Sequence, residues 1–90
     1  MKDRKWYLFM VLGKPYALNI IESLFESPKR FTDLGKACPI EKTRAKRLKE
    51  LTDEKLIEVT IKLIGKRNFV HYKLTEEGEE TFKSILNLKK

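Results

Sequence analysis

The chain has one cysteine, one histidine and no glutamine in 90 residues. A lone Cys38 rules out an intramolecular disulfide, and with a lone His71 it supplies no metal-ligand set. Set beside Pro39, it reads as a small buried hydrophobe in a turn, because a redox thiol must be exposed and activated. No apolar run approaches the roughly 18 residues needed to cross a bilayer. Trp6, Tyr7, Leu8, Phe9, Met10, Val11 and Leu12 form a short apolar stretch after a basic start. Gly13-Lys14-Pro15 follows instead of a small-residue cleavage site, so the reading is a mature cytoplasmic N-terminus rather than a signal peptide. There is also no glycine-rich phosphate loop, no pair of carboxylates in a plausible pocket and no nucleophile beside a base. These absences argue against an enzyme and against a cofactor.

What is abundant is positive charge. The formal net charge is +7 and the pI about 9.6. A domain this small, read as a single unit over residues 1–90, has a limited core. Its charge favours a polyanionic partner, nucleic acid before membrane. The cations gather at 41–49 and at a hairpin tip, whereas Glu76, Glu77, Glu79 and Glu80 crowd a different segment.

Periodicity supplies the elements. After the Gly13-Lys14-Pro15 break, Leu18, Ile21, Leu24 and Phe25 recur at three and four and predict an amphipathic helix ending before Pro28. A short second helix is expected from Thr32 as N-cap, with Phe31 as a staple and Leu34 and Ala37 inward. A third helix is expected over 41–53. With Leu48 at the centre of its buried face, 100° per residue puts Glu41, Ala45, Leu51 and Thr52 on the same side. Lys42, Thr43, Lys46, Arg47, Lys49 and Glu50 then point away or flank it.

Ile57, Val59, Ile61 and Leu63 alternate with polar residues, a half-buried strand. Gly65-Lys66-Arg67-Asn68 makes the hairpin tip, and Val70, Tyr72 and Leu74 return on the core side with Phe69, His71 and Lys73 outward. Thr75 caps a last helix whose first-turn carboxylates suit the helix dipole. Gly78, costly inside a helix, is expected to permit a close backbone approach.

This order predicts an α+β, mainly α, fold: a winged helix-turn-helix with a three-helix core, a β-hairpin wing and a C-terminal helix. The basic helix would lie in a major groove of double-stranded DNA and the wing, about 63–69, on the flanking backbone or minor groove. Candidate DNA-binding residues are Lys42, Thr43, Arg44, Lys46 and Arg47 on the helix, with Lys62, Lys66 and Arg67 on the hairpin. The apolar N-terminal segment and the stripe on the last helix exceed what one small domain would bury. A homodimer is therefore expected, with Trp6, Tyr7, Phe9, Met10, Phe82, Ile85 and Leu86 at its interface. A small-molecule effector would have to sit at that interface, among Trp6, Tyr7 and Tyr16, where no convergent polar groups support it.

Several pieces, in this order, resemble HxlR-type regulators of the broad MarR/ArsR-like group. They are Gly13-Lys14, the Ile20-Ile21 and Leu24 spacing, Arg30-Phe31-Thr32-Asp33-Leu34, Arg47-Leu48-Lys49-Glu50-Leu51, Leu56-Ile57, and the run from Val70-His71-Tyr72-Lys73-Leu74 to Thr75-Glu76-Glu77-Gly78. The resemblance covers roughly 13–80. It implies a dimer whose paired recognition helices enter successive major grooves, with dimer contacts from the terminal helices. The chain departs from the pattern in three places. Arg44 stands where that family commonly has an apolar residue, the turn at Cys38-Pro39-Ile40 is about one residue shorter or shifted, and the N-terminal cysteine used for sensing is missing. A second reading, a winged helix that docks on protein without binding DNA, predicts that 6–12 takes a different chain instead of a second copy.

Overall fold

The computed structural model describes residues 4–88; Met1–Asp3 and Lys89–Lys90, the ends of the expected domain, lie outside the described residues. The elements are α1 (Arg4–Leu12), α2 (Ala17–Glu26), a 3-10 turn (Thr32–Gly35), α3 (Glu41–Asp53), β1 (Ile57–Ile64), β2 (Arg67–Leu74) and α4 (Glu76–Leu88). The second helix of the expected trio is thus a single tight turn. Thr32, expected as the N-cap, is instead the first residue of the turn; Phe31 holds the capping position without a side-chain cap, and the Arg30 amide donates to Asp33 Oδ2 at 3.1 Å. No single described helix is long and apolar enough to cross a membrane, and α1 and α2 meet at 89° across the Gly13–Tyr16 break.

The core is one cluster drawn from every element. Ile20, Ile21 and Leu24 of α2, Leu34 and Cys38 around the turn, Leu48 and Leu51 of α3, and Leu56, Ile57, Leu74 and Phe82 are all buried. The lone thiol is therefore inside, as its sequence setting suggested. On α2 the inner face is Ala17, Ile20, Ile21 and Leu24, while Leu18 and Phe25 of the expected stripe stay partly exposed. Phe25 still packs its ring against Phe82 at a centroid distance of 4.8 Å.

α3 ends in a paired turn. The Lys55 amide donates to Thr52 O at 2.9 Å and the Leu56 amide to Leu51 O at 3.0 Å, with Lys55 at φ 61°. This satisfies two carbonyls of the last helical turn and redirects the chain into β1. Thr75 then joins both ends of the wing. Its hydroxyl donates to Lys55 O at 2.7 Å and accepts from the Gly78 amide at 3.0 Å, the expected N-cap. Gly78 lies against Leu56, where a Cβ would stand 2.0 Å from the carbonyl oxygen. The glycine is there because two backbones cross.

β1 and β2 pair antiparallel, Ile57 opposite Leu74 and Ile64 opposite Arg67. The tip is tighter than expected: Gly65 and Lys66 alone form the turn, with Gly65 at φ 64°. The alternation of the strands is real, but the core extends under only their base. Ile57 and Leu74 are buried, whereas Val59, Ile61, Leu63 and Val70 are more than half exposed because the hairpin projects past the helices. His71, expected outward, is buried. Lys29 pairs through its backbone with Tyr72 (3.0 and 2.7 Å) and brings the preceding loop alongside β2, while Arg30 covers the Phe69 ring at 5.0 Å.

Candidate nucleic-acid interface

α3 occupies the span expected for it, but it is rotated. Its buried residues are Arg44, Arg47, Leu48 and Leu51, so the inward direction is turned by roughly 50° from the face centred on Leu48. Glu41, Ala45 and Thr52, expected inside, are exposed. The rotation goes with two arginines on the inward side: Arg47, expected to point away or flank, and Arg44, expected among the DNA-binding residues.

Arg44, 7% exposed, spans the turn between the two helical segments. Its Nε donates to Cys38 O at 2.9 Å and its Nη1 to Phe31 O at 3.1 Å, and the guanidinium lies 4.7 Å over the Phe31 ring. Gly35 makes room, since a Cβ there would approach Nη2 to 3.3 Å. The planar fork gives the buried Cys38 carbonyl a donor and adds a second one to the Phe31 carbonyl, which already accepts from the Leu34 amide at 3.2 Å; a lysine could not reach both in the same geometry. The place held by an apolar residue in the resembling family is still an inside place, filled here by an arginine.

Arg47, 9% exposed, ties α3 to the α1–α2 connection. Its Nε donates to Pro15 O at 2.9 Å and its Nη1 to Glu50 Oε1 at 3.1 Å, while Lys14 Nζ reaches Glu50 Oε2 at 2.6 Å. Burial pushes the Glu50 carboxyl up. The hydrogen bond and charge of Lys14, followed by those of Arg47, outweigh burial and hold it below the ordinary carboxylate value. Arg44 and Arg47 are thus structural ties and not groove-facing residues, a correction to the expected DNA-binding set.

The outward face of α3 carries Lys42, Lys46 and Lys49, at spacings of four and three that align them in one row, with Thr43 half-buried beside them. Lys49, absent from the expected set, pairs with Asp53 at 3.0 Å on the exposed side. Its spacing from Lys42 and Lys46 was the available signal. Lys62, Lys66 and Arg67 are exposed on the wing as expected. The structure therefore keeps two basic surfaces, one on α3 and one on the hairpin.

The expected interface residues divide as well. Trp6, Tyr7, Phe9 and Met10 present their side chains on α1, Trp6 at 65% and Phe9 at 64% exposed. Leu86 is partly exposed and Ile85 half-buried. Phe82 is a correction: it is 6% exposed and belongs to the chain's own core. Between α1 and α4 lies an apolar cavity of about 300 Å³ lined by Leu8, Phe9, Leu12, Ile85 and Leu88. Among the described residues no group of three His, Cys, Asp or Glu side chains is arranged to hold a metal ion.

Comparison with known proteins places this geometry. An HTH-type transcriptional regulator of Methanocaldococcus jannaschii, itself uncharacterised, is 33% identical over 89 aligned positions, covering 92% of this chain and 76% of that one. The reduced form of the transcriptional regulator YodB from Bacillus subtilis superposes with a TM-score of 0.84 and 31% identity, over 99% of this chain and 88% of that one. A Mycobacterium bovis protein, described as a homodimeric winged helix-turn-helix DNA-binding domain, shares the fold with a TM-score of 0.75 at 18% identity, over 97% and 79% of the two chains. Residues 11–90 match the HxlR-like helix-turn-helix family. The chain belongs to that family and is a transcriptional regulator of the winged helix-turn-helix type.

Proposed function

We propose that this protein regulates transcription as a homodimer that binds specific sites in double-stranded DNA, with α3 in the major groove and the wing on the flanking backbone. The observation that carries this reading is the lysine row Lys42, Lys46 and Lys49, presented on the helix that follows the turn and flanked by Lys62, Lys66 and Arg67 on the hairpin. Those six cations sit on two surfaces that suit a groove and an adjacent phosphate run. The apolar side chains on α1 support a second copy as partner, in line with the homodimeric neighbour of the same fold.

Selection of duplexes from a random pool, followed by binding titrations over a salt series, tests the proposal. Affinity should fall steeply with salt. Lys66→Ala or Arg67→Ala should weaken binding to all sequences alike and reduce the salt slope by about one unit each. A flat salt dependence, or no enriched sequence, would refute it. A second reading has an observation in its favour: the exposed apolar face Val59, Ile61, Leu63 and Val70 suits a foreign protein. A stoichiometric foreign chain retained together with no DNA would support that reading instead.

A further inference from the structure

The inner placement of Arg44 and Arg47 changes what α3 has available to recognise bases. The side chains that distinguish bases most sharply in a major groove are those that make paired hydrogen bonds, arginine to guanine and asparagine or glutamine to adenine. α3, with the sequence EKTRAKRLKELTD, contains neither asparagine nor glutamine, and both its arginines are bonded inward. What remains outward is three lysines, Glu41, Ala45, Thr52 and Asp53, with Thr43 half-buried beside the lysine row. Lysine can also donate to the O6 and N7 of guanine, but as a flexible point charge, so this α3 offers contacts to phosphates and guanine edges and no paired reader of adenine.

The residue that begins α3 stands out against that background. Ile40 occupies the N-cap, makes no capping hydrogen bond and is 52% exposed. A scattered surface isoleucine needs no explanation, but this position does. Serine, threonine, aspartate or asparagine there would satisfy an open amide of the first turn, and isoleucine is among the poorest choices. Helix stability is forgone and a branched apolar side chain is displayed, at the end of the recognition helix whose residues approach base edges. Local rules are expected to break at functional positions. The apolar feature that a base pair offers in the major groove is the 5-methyl group of thymine.

We infer that Ile40 is a specificity-determining residue that reads a thymine methyl group in each half-site. The inference rests on the DNA-binding reading above and adds to it the base contacted and the side chain responsible. Burying one methyl against an isoleucine should contribute about a fourfold preference for thymine over its demethylated analogue, and about fifteenfold when both half-sites of a dimer engage.

Deoxyuridine keeps the pairing edge of thymine and removes only that methyl, so it isolates the contact. The selected duplex is remade with each thymine replaced in turn, and binding is titrated with the full chain and with Ile40→Ser. One symmetric position should lose about fourfold per half-site with the native protein and less than twofold with Ile40→Ser. The same variant should melt at a higher temperature, because serine caps the helix. A merely structural isoleucine would give the opposite melting shift, or none. If every deoxyuridine duplex binds the native protein within twofold of the parent, or if Ile40→Ser distinguishes thymine from uracil as well as the native chain does, the inference is overturned while DNA binding stands. If no duplex is enriched by selection, the DNA-binding reading fails and this inference with it.

Discussion

At Gly78 the ordinary helix preference is inverted. Within an exposed helix, replacing glycine by alanine stabilises by about 1 kcal/mol. Here the added methyl would meet the Leu56 carbonyl at 2.0 Å, and that carbonyl already accepts from the Thr75 amide at 3.0 Å, so it has little freedom to withdraw. Gly78→Ala should therefore destabilise by about 3 kcal/mol, measured as a lower denaturation midpoint with an unchanged slope. The close approach was legible in the sequence, since an uncompensated glycine in a capped helix asks for a reason. Arg44 and Arg47 were not legible from charge alone. An arginine looks like a surface residue until its partners are known, and apart from Glu50, three residues after Arg47, those partners are main-chain carbonyls of Phe31, Cys38 and Pro15 that carry no sequence signal. The one hint was positional: in the family pattern, Arg44 occupies an apolar place.

Among the elements, the connection between α1 and α2 is held to α3 by Lys14, Arg47 and Glu50. The Glu50 carboxyl is held below its ordinary value in the folded protein. Such a group stabilises the fold at pH values above its unfolded pKa, and the contribution is lost as pH falls through the lower, folded value. Acidification through and below the carboxylate range should thus release this tie. The melting temperature of the native chain should fall more steeply over that range than that of Glu50→Gln, and the two curves should converge at the acid end. Parallel curves would show that Glu50 contributes nothing through its charge. The elements themselves were readable. Helical and alternating periods gave α2, α3 and the two strands, with α3 and the Thr75 cap where expected. Side-chain facing was less readable: Val59, Ile61 and Leu63 alternate as a buried strand would, yet the hairpin outruns the core, and only the three-dimensional extent of the helices decides where burial stops.

At the scale of the whole molecule, α1 presents an uncovered apolar face. Trp6, Phe9 and Met10 are each more than half exposed, next to the apolar cavity against α4. Sedimentation at micromolar concentration should give a dimer, and Phe9→Glu with Met10→Glu should give a folded monomer whose DNA affinity is reduced by the loss of the second half-site. A native monomer under those conditions would remove the dimer from the proposal. Phe82 is the wrong residue for this test because its ring belongs to the core and its loss would unfold rather than separate the chains.

The buried arginines have one more consequence, in the covalent chemistry open to α3. With both guanidiniums withdrawn, every cation on the outer face of α3 is a primary amine: Lys42, Lys46 and Lys49. Acylation converts an amine to a neutral amide, whereas a guanidinium is far less readily neutralised. The outer charge of this helix can therefore be erased by acetyl transfer without touching Arg44 or Arg47, which hold the helix in place. Outer positive charge and internal tie are chemically separable in α3, one written in lysine and the other in arginine.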